Sequence, residues 1–325
     1  MKLARCLLPV AFVMLLGGRA SLVSSASGAA PAARTTPTTL VATTVSAAPT
    51  TPNVRTPIVP ASVQLAESDR MLSRDAAALG VRDAYLRWLA PTAVIFHPEP
   101  TNAIRVYTAL APTRARFARE PWKTVVSAGG DLGWTTGPWT YKSDSSHARI
   151  DVFGDYVSVW RRQSDGIWKV MFDAGVPHPA APREFAFEPE ALPPAAHMRS
   201  ALERRKSLWQ VDADFARSAA ERGIAAAIEH YAGDGVIVLR QGMPRLVGAA
   251  VARDSLGHRE GSARMSSFAQ FIGEAGDMGY TYGSFVTRGA AGPDSSHYLH
   301  IWHRGHARPW DLALEYVQAA NPRGK

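Results

Sequence analysis

Apolar positions along this chain change period twice, in the same order each time. Val81, Tyr85 and Trp88 fall at i, i+4 and i+7, one face of a helix, and Ile224, Ile228 and Tyr231 repeat that spacing 143 positions on. Gly80 and Gly223 precede the two sets and suit a junction between short helices. The helices before them are predicted over residues 63–79 and 201–221. A short apolar strand follows in each stretch, over 93–96 and 236–239, and then a further helical segment, over 113–120 and 249–255. After that the period falls to two. Residues 156–162 and 168–172 flank Ser164-Asp165-Gly166, a hairpin signal, and Trp168, Val170 and Phe172 alternate onto one face. Trp310, Leu312 and Leu314 match that trio at an offset of 142, as Trp302 matches Trp160.

Between helices and hairpin the chain nearly repeats itself in letters. Asp131-Leu132-Gly133-Trp134-Thr135-Thr136-Gly137 returns as Asp277-Met278-Gly279-Tyr280-Thr281-Tyr282-Gly283. Glycines four apart on a strand share a face, and a matched pair points to a deliberate bend. Asp144-Ser145-Ser146-His147 also recurs as Asp294-Ser295-Ser296-His297, but at an offset of 150, which needs unequal hairpins. The expectation is one unit written twice. Its fold class is α+β: two tandem cone-shaped domains, each with N-terminal helices packed on a curved antiparallel sheet, over residues 63–180 and 197–320.

Composition adds an address. The chain has 325 residues, and 46% hydrophobic content is ample for packed cores. Lys2 and Arg5 precede a ten-residue apolar run from Leu7 to Leu16 and then small residues, the pattern of a signal peptide over 1–26. Residues 27–62 are rich in Ala, Thr, Ser and Pro without periodicity and read as a flexible linker. Residues 181–196, with Pro182, Pro189, Pro193 and Pro194, read as a second one. The expected location is exported, periplasmic or secreted, with no membrane contact after cleavage. Cys6 is the only cysteine and lies in the leader, so the mature chain makes no disulfide. Net charge is +8, of which Lys2, Arg5 and Arg19 leave with the leader. The densest basic run, Arg204-Arg205-Lys206, is too short for a nucleic-acid surface.

The order of elements resembles the nuclear transport factor 2-like, SnoaL-like cone fold. The run Asp131 to Trp139, then Tyr156-Val157-Ser158-Val159-Trp160-Arg161-Arg162 and Asp165-Gly166-Ile167-Trp168-Lys169-Val170, is similar to the exported, uncharacterised branch of that superfamily. The likeness covers 61–180 closely and 197–320 less so, since Gly305-His306-Ala307-Arg308-Pro309 replaces the turn Asp-Gly. The resemblance implies a conical apolar pocket, and a fold that hosts isomerases, cyclases, dehydratases and simple binders.

It also implies where chemistry would sit. The carboxylate base of isomerase and cyclase relatives, just after the first strand and before a proline, corresponds to His97, a general base in reach of neutral pH. Its counterpart in the second unit is Arg240, which cannot act as a base there. The first helix lacks the tyrosine that isomerases use, and the late-strand donor position falls near Ser158 and His300. Asp173 and Glu315 share the offset of 142 near the end of the last strand, where they line a pocket or pair with an arginine such as Arg161. Catalytic candidates are therefore His97, Asp173 and Ser158. Candidate ligand-binding residues are the cavity aromatics Tyr85, Trp88, Trp134, Trp139, Tyr231, Tyr280 and Tyr282, with Arg240, His300 and Glu315. His297, His300, His303 and His306 are spaced by threes, which gathers no three ligands on one strand face, so no metal is expected. No phosphate loop, nucleophile elbow or His-Glu-x-x-His motif occurs, and no cofactor is expected.

The favoured function is binding of a small, largely apolar molecule without turnover. The alternatives are a lyase, cyclase or isomerase in the first unit, and an interaction module using the open sheet faces. The sheets would then pair as an intrachain pseudo-dimer or a homodimer. A hollow filled by its own aromatics would favour the interaction reading.

Overall fold

The computed structural model describes residues 59–113, 115–142, 151–179, 186–194, 201–257, 263–289, 292–304 and 310–320. The predicted leader and nearly all of the first linker, the Asp144–His147 run and His306 lie outside these residues. Among the described residues no helix is long and apolar enough to cross a membrane.

The first half opens with α1 (Ala61–Leu79) and α2 (Val81–Trp88), joined at Gly80 with φ 87° and ψ 158°. The second opens with α4 (Ala201–Arg222) and α5 (Ile224–Tyr231), joined at Gly223 with φ 88° and ψ 159°. A side chain at either φ would be strained, so both corners need glycine. From α2 the chain passes into β1 (Leu89–Phe96), β2 (Pro100–Asn102) and α3 (Ala103–Ala109), then β3 (Arg116–Arg119), β4 (Lys123–Val126), β5 (Leu132–Lys142), β6 (Asp151–Arg162), β7 (Trp168–His178) and β8 (Glu188–Ala191). From α5 it passes into β9 (Ala232–Arg240), β10 (Leu246–Val247), α6 (Ala249–Leu256), β11 (Ala263–Ile272), β12 (Met278–Gly289), β13 (Gly292–His303) and β14 (Asp311–Ala319). The first sheet runs β2-β1-β7-β6-β5-β4-β8, with β3 also on β5, and the second runs β10-β9-β14-β13-β12-β11. Neighbours are antiparallel except β1 with β7, β9 with β14 and β4 with β8. The fold is α+β, with two curved sheets and their helices.

Three expectations need correction. The helix expected over 113–120 is the strand β3, and the helix of that region is the earlier α3. There Asn102 accepts a hydrogen bond from the Arg105 amide at 3.0 Å, a cap worth about 1 kcal/mol that the periodicity did not register. The stretch 181–196 contains β8, which adds to the edge of β4. Trp168, Val170 and Phe172 do not share a face. The register of β6 with β7 slips so that Val159 faces Phe172 and Trp160 faces Val170, leaving Met171 as a bulge. Trp168 and Val170 therefore pack under the helices, and Phe172 turns to the opposite side. Ala313 makes the same bulge in β14, between Leu312 and Leu314.

The bulges sort side chains into three apolar layers. One lies between α1–α3 and the first sheet, and one between α4–α6 and the second sheet. The third lies between the sheets and draws on both halves, with Phe96, Val157, Val159 and Phe172 from one and Leu239, Leu299, Ile301 and Tyr316 from the other. The motif glycines set the bend. A methyl carbon at Gly137 would lie 1.9 Å from the Glu120 carbonyl oxygen, and one at Gly283 would lie 2.1 Å from that of Ser266. Both face a break in the neighbouring strand, between β3 and β4 or beside the bulge at Phe268 in β11.

Candidate functional site

Each helical layer encloses a buried polar cluster at the centre of its cone. In the first, Asp69 projects from the apolar stripe of α1 and Arg119 comes from β3. Ser158 and Asp173 face each other across β6 and β7. Arg119 Nε lies 2.6 Å from Asp69 Oδ1, and Nη1 lies 2.9 Å from Asp173 Oδ1. The same Nη1 is 3.1 Å from Ser158 Oγ and 3.3 Å from the Tyr85 hydroxyl. Ser158 donates to Asp173, and Tyr156 donates to Asp69 at 2.8 Å. Burial raises the Asp69 carboxyl above the usual range, and the attraction of Arg119 offsets this only in part. Burial also opposes the charge on Arg119, but Asp69, Tyr85 and Asp173 outweigh it and hold the guanidinium ionised.

The second cone has the same plan with a different cation. Asp212 stands on α4 as Asp69 does on α1, and accepts from Tyr298 at 2.8 Å and Thr281 at 2.7 Å, with Ser267 also donating. His300, where the first half has Ser158, places Nδ1 2.9 Å from Asp212 Oδ1 and Nε2 3.9 Å from Glu315 Oε1. The second distance is an ion-pair separation, too long for a hydrogen bond. Arg240 holds the other oxygen of Glu315, with Nη2 at 2.8 Å and Nε at 3.1 Å. Burial pulls His300 down, but the hydrogen bond and charge of Asp212 together with Glu315 hold it above the usual histidine range. Burial pushes Glu315 up, and Arg240 and His300 more than reverse this. His300 Nε2 and Glu315 Oε1 have no hydrogen-bond partner among the described residues.

The structure thus joins Asp173 with Ser158 in one cone, and His300, Glu315 and Arg240 in the other. It does not bring His97 to them by any contact among the described residues. His97 follows β1, half-buried, with its amide bonded to the Glu99 carbonyl at 2.9 Å. Asp173 pairs with Arg119, not Arg161, which lies over the Phe271 ring of the other half. Among the aromatics, Tyr85 stacks on Tyr107 with centroids 4.6 Å apart, and Trp88 meets Trp160 edge-on. Trp139 packs on Phe117, and Tyr231 on Phe215 and Trp302. Trp134, Tyr280 and Tyr282 point out of the cones into the layer between the sheets, as strand parity requires of neighbours of Thr135 and Thr281. Those threonines face the cones, where they accept from Trp160 at 2.9 Å and Trp302 at 3.2 Å.

The histidine run splits in the same way. His300 enters the cone, whereas His297 and His303 face the first half. His297 Nε2 is 3.0 Å from Glu99 Oε2, and His303 Nε2 accepts from Trp134 at 2.9 Å, while burial pushes His303 down to about 3.

No known family model matches the sequence, and no curated protein matches it. Among solved structures, the chain is similar to a ketosteroid isomerase-like protein from Erwinia carotovora, at 13% identity over 36% of this chain and 96% of that one, TM-score 0.32. It is similar to a nuclear transport factor 2-like protein described as of unknown function from Pseudomonas putida, at 10% identity over 36% and 87%, TM-score 0.31. A third likeness is to another such protein from Shewanella oneidensis, at 9% identity over 35% and 97%, TM-score 0.30.

Sequence reasoning missed Asp69, Arg119, Tyr156, Asp212 and Tyr298. Two signals were there to be read. Asp69 and Asp212 interrupt the buried stripe of their helices 143 positions apart, and Tyr156 and Tyr298 share the offset of the hairpins. Nothing in the sequence marks Arg119, whose strand was expected to be a helix.

Proposed function

We propose that this is an exported interaction protein: two cone units, derived from one, fused as an intrachain pseudo-dimer that acts by binding and not by turnover. One observation carries the reading. Every acid that family-like chemistry would use is held in a solvent-excluded ion network, Asp173 by Arg119 and Glu315 by Arg240 and His300. A carboxylate bound to a buried guanidinium is a poor base near neutral pH, and of the aromatics expected to line hollows Tyr85, Trp88, Trp134, Trp139 and Tyr280 are buried in the packed layers, with Tyr231 and Tyr282 half-buried beside them. The sheet faces that relatives could offer a partner cover each other within the chain, which leaves the outer surface for recognition.

A second reading rests on His300 Nε2 and Glu315 Oε1. An oxygen about 2.8 Å from both would subtend nearly a right angle, so a small hydroxyl compound in the second cone would satisfy both atoms. Native mass spectrometry of the protein purified from the exported fraction tests the first reading against the second. The expected mass is that of the polypeptide without its leader. A stoichiometric small-molecule adduct that disappears in His300→Gln would overturn the interaction reading in favour of the second.

A further inference from the structure

The two halves match at their sheet edges except in one place. In the first half, β8 lies along the outer edge of β4, parallel to it, with Lys123 opposite Glu188 and Val126 opposite Ala191. The Glu188 amide donates to the Trp122 carbonyl at 2.7 Å and the Leu192 amide to the Val126 carbonyl at 2.8 Å. Lys123 Nζ reaches Glu188 at 3.4 Å and Glu190 at 3.2 Å. The segment also leans on α1, where Arg70 lies over Phe187.

The pairing of β5 with β4 and of β12 with β11 sets the equivalence. Val125 faces Trp134 as Phe271 faces Tyr280, so Trp122 corresponds to Phe268, Lys123 to Ala269, Thr124 to Gln270 and Val126 to Ile272. On the helices, Leu65 packs over Gly133 as Leu208 does over Gly279, so Ala66 corresponds to Trp209. Among the described residues nothing pairs with the outer edge of β11. Trp122 is 7% exposed and Ala66 0%, whereas Phe268 is 50% and Trp209 43% exposed. Thr124 is fully buried, and in its place Gln270 presents Oε1, buried without a hydrogen-bond partner among the described residues. Two exposed aromatics thus flank the open edge of β11, a slot whose counterpart is filled: Trp209 on α4, and Phe268 on the opposite face of the sheet, with its ring centroid 6.3 Å from that of His297.

We propose that this slot binds an extended, uncharged segment of a partner polypeptide, which adds as a strand parallel to β11 at residues 268–272 and covers Phe268 and Trp209. The occupied slot of the first half supports this occupant. It shows that the fold accepts a short parallel strand there, and which carbonyls receive it; their counterparts are those of Phe268 and Ile272. The chemistry follows from the charged positions that differ: Arg70 and Lys123 meet the segment in the first half, and Ala213 and Ala269 stand in their places. Lys123 selects two glutamates, and Ala269 offers them nothing, so a neutral apolar segment is preferred. A backbone edge supplies affinity and the two aromatics supply the anchor. The inference rests on the interaction reading proposed above and adds to it a place and a partner chemistry.

The test uses the full chain and two synthetic peptides. Both span residues 186–194; one has the native sequence and the other carries Glu188→Thr and Glu190→Thr. Amide exchange followed by mass spectrometry should show the neutral peptide slowing exchange in β11 and not in β4. Trp209→Ala with Phe268→Ala should weaken its binding at least tenfold. Ala269→Lys should reverse the preference, so that the native acidic peptide binds at least fivefold tighter than the neutral one. No protection of β11 at millimolar neutral peptide, or no change of preference in Ala269→Lys, would overturn the proposal. A concentration-dependent dimer lost in Phe268→Lys would overturn it too, because the occupant would then be a second copy. These results leave the interaction reading standing, whereas a His300-dependent small-molecule adduct removes that reading whatever the peptides do.

Discussion

Arg119 is the most consequential side chain of the first cone, and its removal can be worked through from geometry. Its guanidinium lies within 3 Å of two carboxylates, Asp69 and Asp173, all of them buried. Methionine fills much of the same volume but leaves two negative charges facing each other out of water. Breaking a buried pair by deleting one partner costs about 3–5 kcal/mol. Arg119→Met should therefore destabilise the protein by about 4 kcal/mol at pH 7, a fall in Tm of roughly 8 °C at about 2 °C per kcal/mol for a chain of this size. The penalty has a sign with pH. An acid whose folded-state value lies above its unfolded one binds more protons when folded, so stability rises as pH falls through that value. Asp69 is already raised, and loss of Arg119 raises it further, so the penalty should shrink between pH 7 and pH 5. Removing the charges along with the cation removes the cause. The triple variant Arg119→Met, Asp69→Asn, Asp173→Asn should come within about 1.5 kcal/mol of wild type, because neutral amides keep the acceptors that Tyr156 and Ser158 use. Thermal unfolding by circular dichroism, repeated in urea, reads all three. A single variant that loses under about 1 kcal/mol, or a triple as unstable as the single, would refute the reasoning.

Three further outcomes follow from other parts of the molecule. His300 is held above the usual range, so its stabilisation is complete below the ordinary histidine value of about 6.5 and lost as pH rises through the raised one. His300→Gln should abolish that alkaline loss in pH-resolved urea unfolding, and an unchanged profile would refute the link. Gly137→Ala and Gly283→Ala each force a methyl group onto a backbone oxygen and should cost about 3 kcal/mol, whereas Gly130→Ala, with open space and only a φ of 68° against it, should cost about 1 kcal/mol. Equal costs in Tm measurements would show that the strand break is not rigid. Asp277 accepts from the Ala128 amide at 2.6 Å and Asp131 from the Glu274 amide at 2.8 Å, so each motif aspartate caps a loop of the other half. Asp131→Ala or Asp277→Ala should cost about 2 kcal/mol and speed amide exchange at residues 128 and 274; exchange unchanged at both would exclude the lock.

The parts of the fold legible in the sequence are those whose causes are local. The glycine corners at Gly80 and Gly223 announced themselves because a side chain is strained at their backbone angle, and the helical stripes because a face of α2 or α5 must be apolar to be buried. What stayed hidden depends on register. A single extra residue at Met171 or Ala313 reverses the faces of a strand, and alternation read along the letters runs straight through it. The cone clusters stayed hidden for a related reason. Arg240, His300 and Glu315 were picked out, but Asp212, which holds His300, comes from α4, far away in sequence. His97 drew notice through its place before Pro98, and no contact among the described residues joins it to the acids.

The two halves share a plan at their polar centres and differ in the residues that carry it. Each cone places an acid from its first helix and an acid from its last strand around a cation. In the first the cation is Arg119, whose charge is permanent; in the second the first-helix acid meets His300, whose charge depends on pH. Across the seam between the sheets, Asp155 of β6 pairs with Arg245 at 3.1 Å and with His178 at 3.0 Å, and His297, at the matching position of β13, pairs with Glu99. The unfilled edge also belongs to the second half. If a partner strand binds as proposed above, the halves divide their labour: the first carries its own strand on that edge, and the second, with a histidine at its polar centre, takes one from outside.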